Sequence, residues 1–293
     1  VPMILQNAIT NLVSFLDNIM VGQLGTEQMS GVAIVNQLIF VYNLAIFGAV
    51  SAASIFGAQY FGNGDHRGHM HSFRFKLYAT LLVSGLTMLL LLTKGSDLIS
   101  LYLTDTAGNG ATDVALQYGK QYLVIMLVGL VPFAVNQAYA TNIKETGQTL
   151  VPMLASFVAV GTNAVLDYLM IFGVGPFPEL GVTGAALATV IARYVEAVIV
   201  VFWAHRNREK NQYLEGAYRG FGIPVSELKT ILIKGLPLMF NEVLWAAGMT
   251  TVTQCYSVRG LDVVAGLNIA TTITNLFNIV YICLLYTSPS PRD

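Results

Sequence analysis

Charge is what this 293-residue chain has least of. Charged residues make up 11% of it, against about 25% in ordinary soluble domains. Hydrophobic residues make up 55%, and mean hydropathy is +0.63. Cysteine is nearly absent: Cys255 and Cys283 both fall in apolar stretches, which excludes a disulfide framework. There is no Gly-rich phosphate loop, no zinc-ligand spacing and no nucleophile elbow, so soluble enzyme chemistry has no foothold. The net charge of −1 says nothing about partners, because the charges sit in short loops between apolar spans, and no nucleic-acid partner is expected. No cleavable signal peptide is visible, and Val1 already lies inside an apolar run, so a preceding segment is expected to be missing.

What is present is a chain of long apolar segments. A bilayer core of ~30 Å needs about 20 apolar residues per helix. Eight spans are expected, at 1–22, 29–62, 74–93, 115–141, 149–174, 181–205, 227–255 and 261–286. Pro132 and Pro152 are expected to kink the fourth and fifth. Ten of the fifteen Lys and Arg residues fall in three loops, after the second, fourth and sixth spans. The first span is therefore expected to start in the cytoplasm and the even-numbered spans to end there.

An internal repeat sets the organisation. A shift of 235 positions lays Pro2 on Pro237, Gly25 on Gly260, Glu27 on Asp262, Gly31 on Gly266 and Ile34 on Ile269. Two such units need about 470 residues, so one repeat is expected complete and the other only begun. The expected fold is an all-α polytopic membrane protein: a six-helix lobe at 1–205, a cytoplasmic linker at 206–226, and the first two helices of a second, parallel-repeat lobe at 227–286. The tail at 287–293 contains Pro289 and Pro291 and is expected to be non-native.

Polar residues at membrane depth each need a reason, because a charge there costs ~2.5–3.5 kcal/mol or more. Asn7, Asn11, Ser14, Asp17 and Asn18 form a polar stripe along the first span. Asn163 and Asp167, four apart, share a face of the fifth. Either carboxylate could carry a proton or hold Na⁺. Arg193 and Glu196, three apart in the sixth span, are expected to pair. Glu242, beside Asn241 in the seventh, has no basic partner within helical reach and marks a candidate binding site. Gly181, Gly184, Ala185, Ala188 and Ala192 form a small-residue face for close helix packing. His66, His69 and His71 are expected in a solvated loop rather than a metal site, and the 205–226 stretch is expected to be a solvated connector.

These residues resemble the multidrug and toxic compound extrusion (MATE) transporters. The phrases that carry the resemblance are Asp17-Asn-Ile-Met-Val-Gly22-Gln-Leu-Gly25, Gly57-Ala-Gln59-Tyr-Phe-Gly62-Asn-Gly64-Asp65, Leu180-Gly-Val-Thr-Gly184-Ala-Ala-Leu-Ala-Thr189 and Gly235-Leu-Pro237…Asn241-Glu242. The resemblance runs over residues 1–285. It implies two six-helix lobes around a central cavity, and export of amphipathic or cationic compounds in exchange for H⁺ or Na⁺. It also implies a coupling site at Asp17, Asn163, Asp167 and Thr189. Glu242, Asn7, Asn11 and Asn36 are candidates for a substrate or proton site. No cofactor and no metal beyond Na⁺ at the coupling site is expected. The partners are a small amphipathic substrate and the lipid bilayer, and the protein is expected to be a monomer in a prokaryotic inner membrane. The alternatives are a lipid-linked precursor flippase of the same wider superfamily, or a membrane protein that does not transport. A flippase would line its cavity with several basic residues for a pyrophosphate head, whereas the charges singled out at membrane depth in the first lobe are one Arg, Arg193, and the acids Asp17, Asp167 and Glu196.

Overall fold

The computed structural model describes residues 17–102, 111–218 and 222–259, with scattered helical positions between 263 and 277. Residues 17–22 are helical and form the described part of α1. The other helices are α2 (Thr26–Gly62), α3 (His66–Ser100), α4 (Ala111–Val128), α5 (Leu130–Glu145), α6 (Leu150–Ile171), α7 (Val182–Arg206) and α8 (Val225–Ser257), with a 3₁₀ turn, η1, at Gln212–Leu214. α2, α3, α6 and α7 are each long and apolar enough to cross a membrane, and α4 with α5 form a fifth such unit bent by 45°. No strand occurs among the described residues.

Local chemistry sets the helix ends. Gly64 closes α2 with φ of +71°, a left-handed position that glycine adopts without strain. Asp65 then caps α3, its side chain accepting from the Gly68 N–H at 3.0 Å. α3 is longer than the expected 74–93 span, because its polar first turns pack on α5 and η1 instead of fraying into a loop. The bend in the fourth span falls at Gly129, between α4 and α5. Pro132 sits in the first turn of α5, where its missing N–H leaves no hydrogen bond unmade. Pro152 occupies the same kind of position in α6, so the expected kink there does not occur.

The main core joins α2, α3, α4, α7 and the start of α5, with Val35, Ile39, Ile99, Met126, Leu130 and Ala186 fully enclosed. Two glycines let backbones meet. A Cβ at Gly31 would lie 2.5 Å from the Ala115 carbonyl oxygen of α4, and one at Gly184 would lie 2.6 Å from that of Met170 in α6. The small-residue face of α7 is buried as expected, with Gly184, Ala185, Ala188 and Ala192 all inside. Large apolar side chains such as Leu82, Leu86 and Leu89 stand exposed along α3, a surface suited to lipid contact.

A second cluster lies where α3 begins and α7 ends. Phe73, Tyr139, Ile143, Val200, Ala204, Tyr213 and Leu214 pack together there. The 205–226 stretch is therefore not the solvated connector expected, since Asn211, Tyr213, Leu214 and Ala217 are buried. Arg74 fastens it, donating to the carbonyls of Ala217 (2.8 Å), Gly222 (2.9 Å) and Gly216 (2.6 Å). Nor do the three histidines lie in a solvated loop. All three belong to α3, and His69 is buried, bonding to Glu145 at 3.2 Å.

α8, in the span expected to open the second lobe, packs along α2. Gly235 presses on Ala52, and the Phe40 and Trp245 rings lie 6.1 Å apart. Most of the eighth span and the whole 287–293 tail lie outside the described residues.

Candidate functional site: two buried carboxylates

α1 contributes Asp17, α6 contributes Asn163 and Asp167, and α7 contributes Thr189. Asp167 is 1% exposed. It lies close enough to Asp17 for their charges to interact. Tyr122 of α4 stands within electrostatic reach of both acids and beside Thr189. Its hydroxyl donates to Asn36 Oδ1 of α2 at 3.3 Å. Five helices thus converge on one polar cluster, in which Tyr122 and Asp167 are buried and Asp17, Asn36, Asn163 and Thr189 partly so. Asn163 is near Asp167, yet its Nδ2 makes no bond of hydrogen-bonding geometry.

Among the described residues, both oxygens of Asp167 and Oδ1 of Asp17 are buried without a hydrogen-bond partner. Two buried acids left this way cost several kcal/mol unless a proton or cation lies between them. Carboxylate, amide and hydroxyl oxygens of this kind suit a proton or a hard cation such as Na⁺. No group of three or more His, Cys, Asp or Glu occurs among the described residues, so a transition-metal centre has no ligand set there.

The neighbouring cation is committed elsewhere. No ion-pair contact joins Arg193 to Glu196, contrary to expectation. Arg193 Nη1 donates to the Gly129 carbonyl at 3.4 Å and its guanidinium lies 5.1 Å over the Phe133 ring. Glu196 accepts from Ser156 at 2.5 Å. The Tyr42 hydroxyl donates to Leu130 O at 2.8 Å. The bend between α4 and α5 is therefore stitched by side chains, which satisfy backbone groups that lipid could not.

Asn7 and Asn11 lie outside the described residues, as does the side chain of Glu242, whose backbone belongs to α8. Tyr122 was missed by reasoning from sequence, which weighed charges and amides alone. The available signal was a tyrosine hydroxyl in mid-span, which must find a partner there.

Residues 2–169 match the MatE family model. A probable multidrug resistance protein NorM of Thermotoga maritima is 27% identical over 277 residues, covering 94% of this chain and 57% of that protein. The protein of the same description from Rhizobium meliloti is 30% identical over 200 residues, covering 67% of this chain and 40% of that protein. An outward-facing MATE family transporter of the MOP superfamily matches with a TM-score of 0.77 at 23% identity, covering 95% of this chain and 59% of that one. An inward-facing structure of such a transporter gives 0.70 at 24% identity, over 90% and 56%. The chain thus spans 40–59% of the length of these proteins, of which the two structures are named as transporters and the two sequence relatives as multidrug resistance proteins. With more than half of its residues matched by the family model, the chain is a multi-pass membrane protein that belongs to the MatE family.

Proposed function

We propose that this chain is the ion-coupling portion of a secondary antiporter that exports amphipathic or cationic compounds in exchange for H⁺ or Na⁺. The observation that carries this reading is the pair Asp17 and Asp167, mutually close, with buried oxygens unpartnered among the described residues. A site built for packing alone would satisfy those oxygens. In the proposed cycle the ion neutralises the two acids in one state of the lobe and leaves in the other, so occupancy biases the equilibrium between them. Asn163, Thr189, Asn36 and Tyr122 orient oxygen atoms and hydroxyls toward that ion. The relatives named for multidrug resistance support drug export. Asn7, Asn11 and Glu242 remain assigned to substrate or proton handling on sequence grounds.

The division into a lobe at 1–205, a cytoplasmic linker at 206–226 and the start of a second lobe at 227–286 belongs to the same reading. So do a cytoplasmic N-terminal side, a prokaryotic inner membrane and a monomeric state. The flippase alternative is disfavoured by Arg193. A flippase would call for several basic residues at its cavity, and the one Arg at depth in the first lobe is engaged with Gly129 and Phe133.

The test is substrate efflux from proteoliposomes under separate H⁺ and Na⁺ gradients. Asp17→Asn and Asp167→Asn should each abolish gradient-driven efflux while the protein still inserts and purifies. Wild-type rates in both variants would overturn the assignment.

A further inference from the structure

Arg193 lies one helical turn from the candidate ion site, and its present partners hold it loosely. It follows Thr189 by four residues on α7, so the two share a face. Helical side chains lean toward the N-terminus of their own helix, which aims Arg193 back at the turn that carries Thr189. One turn rises about 5.4 Å, less than the reach of an extended arginine side chain. Tyr122, in electrostatic reach of Asp17 and Asp167, is in reach of Arg193 as well. In this structure Arg193 Nη1 meets the Gly129 carbonyl at 3.4 Å, near the outer limit of a hydrogen bond. Its guanidinium also lies 5.1 Å over the Phe133 ring. Neither partner carries a negative charge.

Leaving that position would strand no polar group. The Gly129 carbonyl also accepts from the Phe133 N–H, at 3.4 Å. Glu196, the acid in electrostatic reach of Arg193, is bonded to Ser156 at 2.5 Å and lies in reach of Lys144 too. A guanidinium at membrane depth normally pairs with a carboxylate or lines a polar cavity, yet no ion pair joins Arg193 to any acid among the described residues. The complementary groups neighbour the same tyrosine: Asp17 and Asp167 keep three buried oxygens without a hydrogen-bond partner. Packing alone gives no reason for an unpaired cation near two unpaired acids. A cation that visits the acids only when their ion is gone gives one.

We propose that Arg193 is a tethered stand-in for the coupling ion. It rests on Gly129 and Phe133 while the ion neutralises Asp17 and Asp167, and turns to the two carboxylates when the ion leaves. This deepens the antiport reading and rests on it. Two bare acids in a low dielectric are costly, and the forked donors of a guanidinium suit carboxylates. Release of the ion then becomes an exchange of one cation for another, and no step leaves both charges open. The ion's apparent affinity is the intrinsic one reduced by the share of time that Arg193 holds the acids. Removing the tethered charge should therefore tighten ion binding, and weakening its resting place should loosen it.

The test follows how efflux from proteoliposomes, and the thermal midpoint of the purified protein, depend on the concentration of the driving ion. Arg193→Gln should reach half-maximal efflux at a several-fold lower ion concentration, with a lower maximal rate because release is slowed. Its midpoint should respond at the same lower concentration. Arg193→Lys keeps the charge and should stay near the wild type. Phe133→Leu removes the aromatic face under the guanidinium and should raise the half-maximal concentration several-fold. An unchanged ion dependence in Arg193→Gln would overturn the proposal, as would an equal shift in Arg193→Lys. No rise in Phe133→Leu would make Arg193 a fixed charge and not a moving one, which overturns it too. If neither H⁺ nor Na⁺ drives efflux in the wild type, the antiport reading fails and this inference with it. If the wild type couples while Asp17→Asn and Asp167→Asn do not, an unmoved Arg193→Gln sinks this inference alone.

Discussion

Replacing Glu145 with Gln tests whether charge burial holds the start of α3 to the end of α5. Lys76 is 0% exposed and forms a salt bridge with Glu145, whose own side chain is 6% exposed. The ammonium also donates to Asn142 Oδ1 at 2.5 Å. Glu145 Oε2 receives His69 Nε2 at 3.2 Å, and because a carboxylate only accepts, that nitrogen must carry the proton. Gln keeps the volume and removes the charge, leaving the Lys76 ammonium buried with neutral amide oxygens only and turning one of the two acceptors that serve Lys76 and His69 into an NH2 donor. Breaking a buried pair in this way costs about 3–5 kcal/mol. At ~2–4 °C per kcal/mol for a chain of this size, the midpoint should fall by about 6–20 °C. Lys76→Met should cost less, because His69 still donates to Glu145. The double variant Lys76→Met/Glu145→Gln should lose less than the two singles combined, with a coupling of ~2 kcal/mol or more. Thermal unfolding of the detergent-solubilised protein, followed by intrinsic fluorescence, measures all three. A shift below about 2 °C for Glu145→Gln, or strict additivity in the double variant, would refute the reasoning.

The remaining predictions concern the site and the topology. Tyr122→Phe removes the hydroxyl that joins Asn36 to the Thr189 side of the pocket; coupled efflux should fall at least several-fold, with a midpoint change of only a few degrees. A loss of stability as large as that of Glu145→Gln would make Tyr122 a packing residue instead. In a background with Cys255 and Cys283 replaced by Ser, Asn109→Cys should react with an impermeant thiol reagent on intact cells and Gln212→Cys should not; the reverse pattern would invert the topology.

Elements with a strong period or composition were legible in the sequence, and those that depend on a distant partner were not. The spans at 29–62, 149–174 and 181–205 differ from α2, α6 and α7 by a few residues at each end, because twenty apolar residues have few alternatives in a bilayer. The Asn163–Asp167 spacing likewise put both residues on one face. His69, Arg74 and Lys76, by contrast, were read as soluble-side charges, since the partners that bury them lie 76, 143 and 69 positions away. The Arg193–Glu196 expectation failed for the opposite reason. Local spacing allowed the pair, but the broken helix at Gly129 offered Arg193 a carbonyl whose own backbone bond, from Phe133 N–H, is long at 3.4 Å, and an aromatic face.

Buried charge takes two forms in this bundle, and the contrast separates support from function. At the junction of α3, α5 and the linker, Lys76, Glu145, His69 and Arg74 find complementary partners within the chain. Such a network resists change, because each group would be stranded if its partner moved. Around Asp17 and Asp167 the signs match instead of cancelling, and three carboxylate oxygens remain open among the described residues. Folding alone does not stabilise that arrangement. In the proposed function a mobile cation or proton does, while it is bound. On that reading the satisfied cluster acts as the fixed end of the helix bundle while the unsatisfied one responds to ion occupancy. Among the described residues no side chain of α1 or α6 bonds to Lys76, Glu145 or His69, but α6 packs Ala155 into the apolar cluster beside them. A change in the spacing of the two acids would therefore reach the anchored end of the bundle through α6.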